Sequence, residues 1–306
     1  MLLLAASLLL AQVSGGLGGR IQNAPLAPDQ RQAVAAAYSR RDFASLERIL
    51  DGAAGAEKHP LRAAELRALL GALEFLGGRM DQAAARFRQA EPLDDHDRFT
   101  LAMALVNLGD VAGARAELSR LDQSRPDQPL YLYWLARLDY DQRLYDAAVD
   151  KLKRVVRLDP NSVRGYDNLG LCYDMMGLPG KAREAFLKAV ALNRKLASPS
   201  AWPPHNLGYL EFRSQHFKEA EENLREALRY DPKFALAHHH LGRVLEKQDR
   251  NDAAIDEYRA AAALDERVPE PLYSLGLLCR REGREAEAER ALAEYRRRKA
   301  LSDTAR

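Results

Sequence analysis

A run of three histidines, His238-His239-His240, is the most unusual group of titratable side chains in this sequence. Imidazole is a common ligand of zinc and copper, so a metal site is the first chemistry to test. On a helix, however, three successive side chains point about 100° apart and cannot all bind one ion. A metal site would need further ligands, and we favour polar residues that line a groove. The alternative is an exported protein that binds a metal or another ligand through this His-rich middle.

Motifs of enzymes and of nucleotide-binding proteins are missing from the sequence. It contains no Cys-x-x-Cys pair, no glycine-rich phosphate loop, no His-Glu-x-x-His zinc motif and no Gly-x-Ser-x-Gly elbow. Because no nucleophile, base and oxyanion donors come together in a recognisable motif, we expect neither an enzyme nor a cofactor. The net charge of +2 is far from the basic excess of proteins that bind by neutralising phosphates, so we expect no nucleic-acid partner.

The stretch from Val163 to Leu196 shows the element that must position any site. Bulky residues recur at spacings of three and four in Tyr166, Leu169 and Tyr173, which indicates one apolar face of a helix. Gly177 ends that helix, and Ala182, Phe186 and Ala189 carry the same period in a second one. Gly170 and Ala182 are small where the two helices of this hairpin must touch. The order Tyr, Leu-Gly, Tyr, then Ala, Phe and Ala resembles the tetratricopeptide repeat.

Two independent markers give the register of the repeats. Leu-Gly or Leu-Ala pairs stand at Leu70-Gly71, Leu101-Ala102, Leu135-Ala136, Leu169-Gly170, Leu207-Gly208, Leu241-Gly242 and Leu275-Gly276. Alanines of the second helices follow with spacings of 31, 34, 34, 38, 34 and 34 residues, at Ala83, Ala114, Ala148, Ala182, Ala220, Ala254 and Ala288. The resemblance implies an all-α fold, an α-solenoid with a right-handed superhelix of about eight helix-turn-helix repeats. The predicted repeats lie near residues 29–60, 64–94, 95–128, 129–162, 163–196, 201–234, 235–268 and 269–302.

The resemblance also implies where a partner binds, because residues two, five, nine and twelve of each first helix line the concave surface in the family. We call these the groove positions. They comprise Tyr133, Arg137 and Tyr140 in the fourth repeat, Arg164, Asp167, Leu171 and Asp174 in the fifth, Trp202, His205, Tyr209 and Phe212 in the sixth, and Leu236, His239, Arg243 and Glu246 in the seventh. Aromatic and arginine side chains along a groove suit partner binding. The alternative is that some of these rings pack between neighbouring helices.

Three narrower predictions concern particular groove and helix residues. His205 and His239 are the fifth residues of successive repeats and are expected to face one another. The family's carboxylate clamp for a peptide terminus is absent, and its asparagine ladder is reduced to Asn168 and Asn206. The cysteines, Cys172 and Cys279, lie in first helices three repeats apart, too far for the roughly 7 Å that a disulfide allows, so we expect buried small side chains.

The chain ends and one connection have their own predictions. MLLLAASLLLA, followed by small and polar residues, predicts a secretory signal over residues 1–19, with a mature start between about Gly15 and Arg20. Residues 20–28 are interpreted as a linker, and Asp29 with Gln32 as the capping box of the first helix. The connection at 197–204 is either a hinge or a tolerated insertion. At the other end, Arg284 to Ala300 is the polar capping helix, its basic run at 296–299 is a solvated cap, and residues 303–306 are a tail.

Taken from the sequence, the function is that of a non-enzymatic scaffold that binds a peptide or protein partner in the concave groove. We expect it to be exported, periplasmic or extracellular, without a stable membrane span after processing. The alternative location is cytoplasmic, or tethered to a membrane through the N-terminal apolar segment.

Overall fold

The computed structural model describes residues 17–304, and these residues contain helices but no strand. Residues 17–23 are helical. The helices that follow are α1 (Pro28–Ser39), α2 (Phe43–Ala56), α3 (Pro60–Leu76), α4 (Met80–Arg88), α5 (Asp95–Leu108), α6 (Val111–Ser124), α7 (Pro129–Asp141), α8 (Tyr145–Leu158), α9 (Val163–Met175), α10 (Pro179–Asn193), α11 (Trp202–Arg213), α12 (Phe217–Tyr230), α13 (Ala235–Lys247), α14 (Asn251–Leu264), α15 (Glu270–Arg281) and α16 (Glu285–Thr304). The all-α class predicted from the sequence is confirmed.

Odd-numbered helices are the first helices of the hairpins, and even-numbered helices are the second ones. The chain forms two compact units, which we describe separately. Unit 1 ends at Leu138 and unit 2 begins at Asp139, so the division falls within α7. In both units the first helices of successive hairpins contact one another: α3 contacts α5, α9 contacts α11, and α11 contacts α13. Such stacking buries each apolar face on its neighbours.

Small residues let the two helices of each hairpin approach closely. A Cβ atom placed on Gly170 would lie 2.4 Å from Cδ1 of Phe186, and one on Gly242 would lie 2.7 Å from Cδ1 of Tyr258. Ala254, on the partner helix of Gly242, is fully buried. The Leu-Gly pairs therefore mark helix contacts, as the sequence predicts.

Helix α1 begins differently from the sequence prediction. Its first residue is Pro28, and the backbone N–H of Ala27 donates to Oε1 of Gln30 at 3.2 Å. The capping box predicted at Asp29 and Gln32 is therefore wrong. Proline suits the first helical position because its φ is already helical and no N–H is needed there, which moves the start of the helix forward.

The segment interpreted as a linker is also different. Residues 17–23 are helical, and Leu17 and Ile21, one turn apart, are each only 2% exposed. The predicted linker therefore begins inside a helix, and the apolar pair four residues apart accounts for that helix. Most of the predicted secretory signal, residues 1–16, lies outside the described residues.

The connection at 197–204 is anchored at its centre. The fully buried side chain of Asn193 donates from Nδ2 to the carbonyl oxygen of Ser200 at 2.8 Å, and its Oδ1 accepts from the Ser200 N–H at 2.9 Å. Two hydrogen bonds from one buried amide favour a fixed connection over a hinge.

The last helix, α16, continues to Thr304, so it includes part of the predicted tail. Arg297 and Arg298 of the basic run both pair with Glu294 at 2.7 Å, and Arg298 also donates to the carbonyl oxygen of Ala262 at 2.9 Å. Over the part of the chain that the structure describes, no helix combines the length and the apolar character needed to cross a bilayer.

Candidate functional site

Three hydrogen bonds connect the first helices of unit 2 in a regular pattern. The fifth residue of one repeat contacts the sixth residue of the next. The pairs are Asn206 Nδ2 to Asp167 Oδ1 at 3.0 Å, His205 Nε2 with His240 Nδ1 at 3.0 Å, and His239 Nε2 with Ser274 Oγ at 3.3 Å. We call these three pairs the polar ladder. It joins α9, α11, α13 and α15 and fixes the register of their neighbouring faces.

The polar ladder corrects the prediction that His205 faces His239. Each fifth residue points towards the following repeat, so His205 reaches His240 on α13, while His239 reaches Ser274 on α15. The ladder also engages Asn206, whose Oδ1 lies 3.1 Å from Nδ1 of His205. Asn206 is therefore held by Asp167 on one side and by His205 on the other.

Burial keeps three of the histidines uncharged. His205 is only 5% exposed, and burial lowers its pKa to about 4. Burial, together with the nearby charge of Arg243, lowers the pKa of His239 to about 4. Burial lowers the pKa of His240 to about 2, with further contributions from His205 and His239. Neutral imidazoles have one donor and one acceptor nitrogen, which is what a direct contact between two rings requires.

His238 points away from the other two histidines of its run. Its Nδ1 lies 2.6 Å from Oε2 of Glu257, and its Nε2 lies 3.1 Å from the carbonyl oxygen of Pro232. The hydrogen bond to Glu257 raises the pKa of His238, because both ring nitrogens face acceptors. Within residues 17–304, no three His, Cys, Asp or Glu side chains are grouped so that they could hold a metal ion.

Aromatic rings form a contiguous strip beside the polar ladder. The Trp202 ring centroid lies 4.7 Å from that of Phe234, and the Tyr209 ring stacks on His240 at 4.3 Å with an interplanar angle of 16°. Phe234 also lies 4.8 Å from His205. Trp202 and Tyr209 are half-buried, so each presents part of its ring to solvent. We call Trp202, Tyr209, Phe234 and His240 the aromatic strip.

Cationic side chains border the aromatic strip. The Arg243 guanidinium lies 4.6 Å from the ring centroid of Phe212, and the Arg213 guanidinium lies 5.8 Å from that of Tyr209. Arg213 also pairs with Asp174 at 2.6 Å. The face therefore combines large rings with guanidinium groups, which suits an apolar side chain and a carboxylate of a bound segment.

The structure divides the predicted groove residues by exposure. Arg164 is exposed, and Trp202, Tyr209, His239 and Arg243 are half-buried. Asp167, His205 and Phe212 are buried, so they support the face from below and do not line it.

Predicted groove residues on α7 fall on both sides of the unit boundary. Tyr133 and Arg137 are half-buried in unit 1, where Tyr133 contacts the Trp134 ring edge-on at 5.7 Å. Tyr140 is half-buried in unit 2 and lies 5.6 Å from the Tyr145 ring.

Two members of the aromatic strip were not among the predicted site residues. Phe234 stands just before α13, outside the groove positions, and His240 is a sixth residue. The sequence contains a signal for Phe234. It is a bulky ring one residue before a first helix, and such a ring lies beside residue two of the preceding repeat, here Trp202.

Comparison with known families identifies the repeat. The family model described as Tetratricopeptide repeat matches residues 99–163, 135–197 and 205–269, which together cover more than half of the chain. These stretches include the helices that carry the polar ladder from Asp167 to His240.

Individual proteins match over shorter stretches. An uncharacterized protein of Cyanophora paradoxa, ycf37, is 27% identical over 123 residues, which are 40% of this chain and 72% of that protein. The peroxisomal targeting signal receptor of Candida albicans is 29% identical over 106 residues, 35% of this chain, and the match spans only 18% of the receptor. The crystal structure of a tetratricopeptide repeat protein from Parabacteroides merdae superposes with a TM-score of 0.66 at 16% identity, covers 82% of this chain and 97% of its own, and shows the same fold.

Proposed function

Because this chain belongs to the tetratricopeptide repeat family, we propose that it is a non-enzymatic scaffold that binds an extended segment of a protein partner on the first-helix face of unit 2. The repeat fold supports a protein-interaction role. A receptor for a targeting signal among the similar proteins is in keeping with this role, although the match covers a small part of that receptor.

The observation that carries the proposal is the aromatic strip. Trp202 and Tyr209 lie on one helix, about two turns apart, and both are half-buried, so their rings are held in place while part of each remains open. A ring fixed before binding loses little conformational entropy when a partner side chain packs on it. Such rings are typical anchors of protein interfaces.

The polar ladder explains why the strip is rigid. His240 is held by His205 from the preceding repeat, and Tyr209 stacks on the held ring. The neutral imidazoles thus serve as structural supports of the face. Nε2 of His205 and Nδ1 of His240 are engaged with each other, so these two nitrogens are not open to a metal ion.

We further propose that the bound segment carries an acidic side chain or a terminal carboxylate next to an apolar one. Arg243 is half-buried beside Phe212, and Arg164 is exposed at the start of α9. A guanidinium held against a ring is partly desolvated, which strengthens its hydrogen bond to a carboxylate. Recognition would therefore rest on rings and cations, not on asparagine amides.

Export is the second part of the proposal. It rests on the apolar run at the start of the sequence, which has the length of a signal core and is followed by small residues. A periplasmic or extracellular location would place the scaffold among exported partners. Recovery of the protein from the cytosol with Met1 intact would contradict this part alone.

The binding face is tested with peptides selected from a random displayed library on the purified full chain. Affinity is then measured by fluorescence anisotropy for the wild type and for the double variant Trp202→Ala, Tyr209→Ala. We expect a loss of about thirtyfold or more, the usual effect of truncating an anchor residue. Circular dichroism must show an unchanged helical content.

Matched controls come from the end of the chain. The controls are Arg296→Ala and Arg297→Ala, which both lie on the capping helix α16. Both should retain affinity within about threefold, as rim contacts do. If the α16 variants lose binding and the Trp202→Ala, Tyr209→Ala variant keeps it, the site lies at the C-terminal end and the proposal is refuted.

A further inference from the structure

Two groove positions of the third repeat, in unit 1, are buried. The ninth residue of the third repeat, Met103, is only 2% exposed, and its neighbour at the fifth position, Phe99, is also buried. In unit 2 the ninth residues Tyr209 and Arg243 are half-buried, and Leu277 is 44% exposed. Side chains as large as Met and Phe are buried on a concave surface only when something lies over them.

Residues 17–26 pack into the same core as these two side chains. Leu17, Ile21, Ala24 and Leu26 are buried in the same apolar cluster as Phe99 and Met103. A Cβ atom on Gly18 would lie 3.4 Å from the Tyr38 hydroxyl on α1, so this helix contacts the first helix of the first hairpin. The segment therefore reaches first helices at both ends of the covered surface.

An ion pair fixes the segment in one register. Both guanidinium nitrogens of Arg20, Nη1 and Nη2, donate to the two carboxylate oxygens of Asp97 at 2.7 Å each. Asp97 lies on α5 and is only 4% exposed, and burial raises its pKa while Arg20 opposes that rise. A buried carboxylate requires such a partner, because leaving it unpaired is costly.

We infer that the first-helix face of unit 1 is a second binding groove, held closed by the chain's own residues 17–26, whose helical part at 17–23 is the amphipathic ligand. The recognised pattern is an aliphatic side chain at Leu17, a basic one at Arg20 and an aliphatic one at Ile21. A partner of this groove has to present the same pattern and displace the segment. The inference stands on unit 1 alone and is independent of the proposed site in unit 2.

Protection from trypsin tests the closed state in the full chain. Asp97→Asn keeps Arg20 as a cleavage site but removes the charge of its partner, so we expect cleavage after Arg20 to accelerate about tenfold or more under native conditions. Asp95→Asn is the matched control, because Asp95 lies on the same helix and pairs with Arg125 instead. Cleavage after Arg86, inside α4, reports unfolding of unit 1. Equal rates of cleavage after Arg20 in Asp97→Asn and Asp95→Asn would overturn the inference. Equal acceleration of cleavage after Arg20 and after Arg86 in Asp97→Asn would also overturn it.

A labelled peptide of residues 15–27 tests the groove itself. In Ile21→Asp the chain's own segment binds poorly, so the free peptide should bind this variant at least tenfold more tightly than it binds the wild type. A peptide that carries the same Ile21→Asp change should not bind either chain. Equal binding to the two chains, or binding to neither, would show that the surface is an ordinary part of the core and not a groove.

Discussion

Acid should destabilise unit 2 through the polar ladder, in a pH range where few other groups titrate. His205 has a pKa of 6.5 when unfolded and about 4 when folded, because burial disfavours its charged form. The unfolded chain therefore takes up a proton that the folded chain does not. The stabilisation from the neutral ring is complete above about pH 6.5 and is lost as the pH falls towards 4.

The magnitude follows from the two pKa values. At about pH 5 the unfolded imidazole is almost fully protonated and the folded one is about one-tenth protonated, which destabilises the native state by about 2 kcal/mol. His239 and His240 have lowered pKa values of about 4 and about 2 and act in the same direction. Since His205 and His240 share a hydrogen bond, their contributions do not simply add, and we expect a total between about 2 and 6 kcal/mol.

His238 has the opposite sign, because its pKa is raised by Glu257. It contributes stability below about pH 6.5 that is lost as the pH rises through its folded pKa. The lowered pKa values of Glu221 and Glu226 matter only below their ordinary value of 4.5, outside the window between about pH 5 and 6.5.

Urea unfolding followed by fluorescence measures the effect. The sequence has two tryptophans, Trp134 and Trp202, so Trp134→Phe leaves a single reporter whose ring centroid lies 5.8 Å from that of His205. The double variant His205→Gln, His240→Gln removes both titrating rings and keeps side chains that can hydrogen-bond. Between about pH 7.5 and 5, the free energy of unfolding of the Trp134→Phe parent should fall. That of the double variant should fall by about 2 kcal/mol less. An equal loss in both proteins, or no loss in the parent, would refute the assignment of neutral, buried imidazoles.

Three further outcomes are expected. Gly242→Leu or Ala254→Leu should destabilise by about 1 to 3 kcal/mol in thermal melts, since a Cβ on Gly242 already meets the Tyr258 ring, and an unchanged melting profile for both would contradict the helix contact. Gln215 has a φ of 63°, a conformation that glycine adopts without strain. Gln215→Gly should therefore raise the free energy of unfolding by about 1 kcal/mol in urea titrations. A lower free energy of unfolding would show that the turn is unstrained. If the signal is cleaved, mass spectrometry of the exported protein should find a mature start at or before Leu17, because Leu17 is buried in unit 1. A mature start beyond Leu17 would contradict the closed groove.

Much of the fold follows from short-range periodicity in the sequence. Gly170, Gly242 and Gly276 mark helix contacts, because a Cβ at each would lie 2.4, 2.7 and 2.5 Å from a side chain of the partner helix. The start of α1 was missed because two local signals competed. Asp29 is a good capping residue. Pro28, however, has a helical φ and lacks the N–H that would stay unpaired at the first helical position, so the helix begins at Pro28.

The candidate site was less predictable, because it depends on which side of each first helix faces its neighbour. The resemblance to the repeat family predicts Trp202 and Tyr209 as groove residues, and both are half-buried. The same resemblance cannot tell that His205 turns towards α13 and becomes buried against His240, since one helical residue changes direction by about 100°. The direction of His205 is decided by contacts between repeats. Such contacts leave no periodic pattern within a single helix.

The closed groove of unit 1 has a sequence signature that aromatic residues alone do not show. Ala72 and Met103, the ninth residues of the second and third repeats, are uncharged and apolar, whereas Tyr209 and Arg243 occupy the same position in unit 2. A concave surface without polar side chains is unstable in water unless it is covered, so such positions predict an occupant from elsewhere in the chain. Residues 17–21 have aliphatic side chains four residues apart and a basic residue between them. These residues overlap the predicted signal and linker, but buried Asp97 on α5 requires a basic partner, which Arg20 supplies.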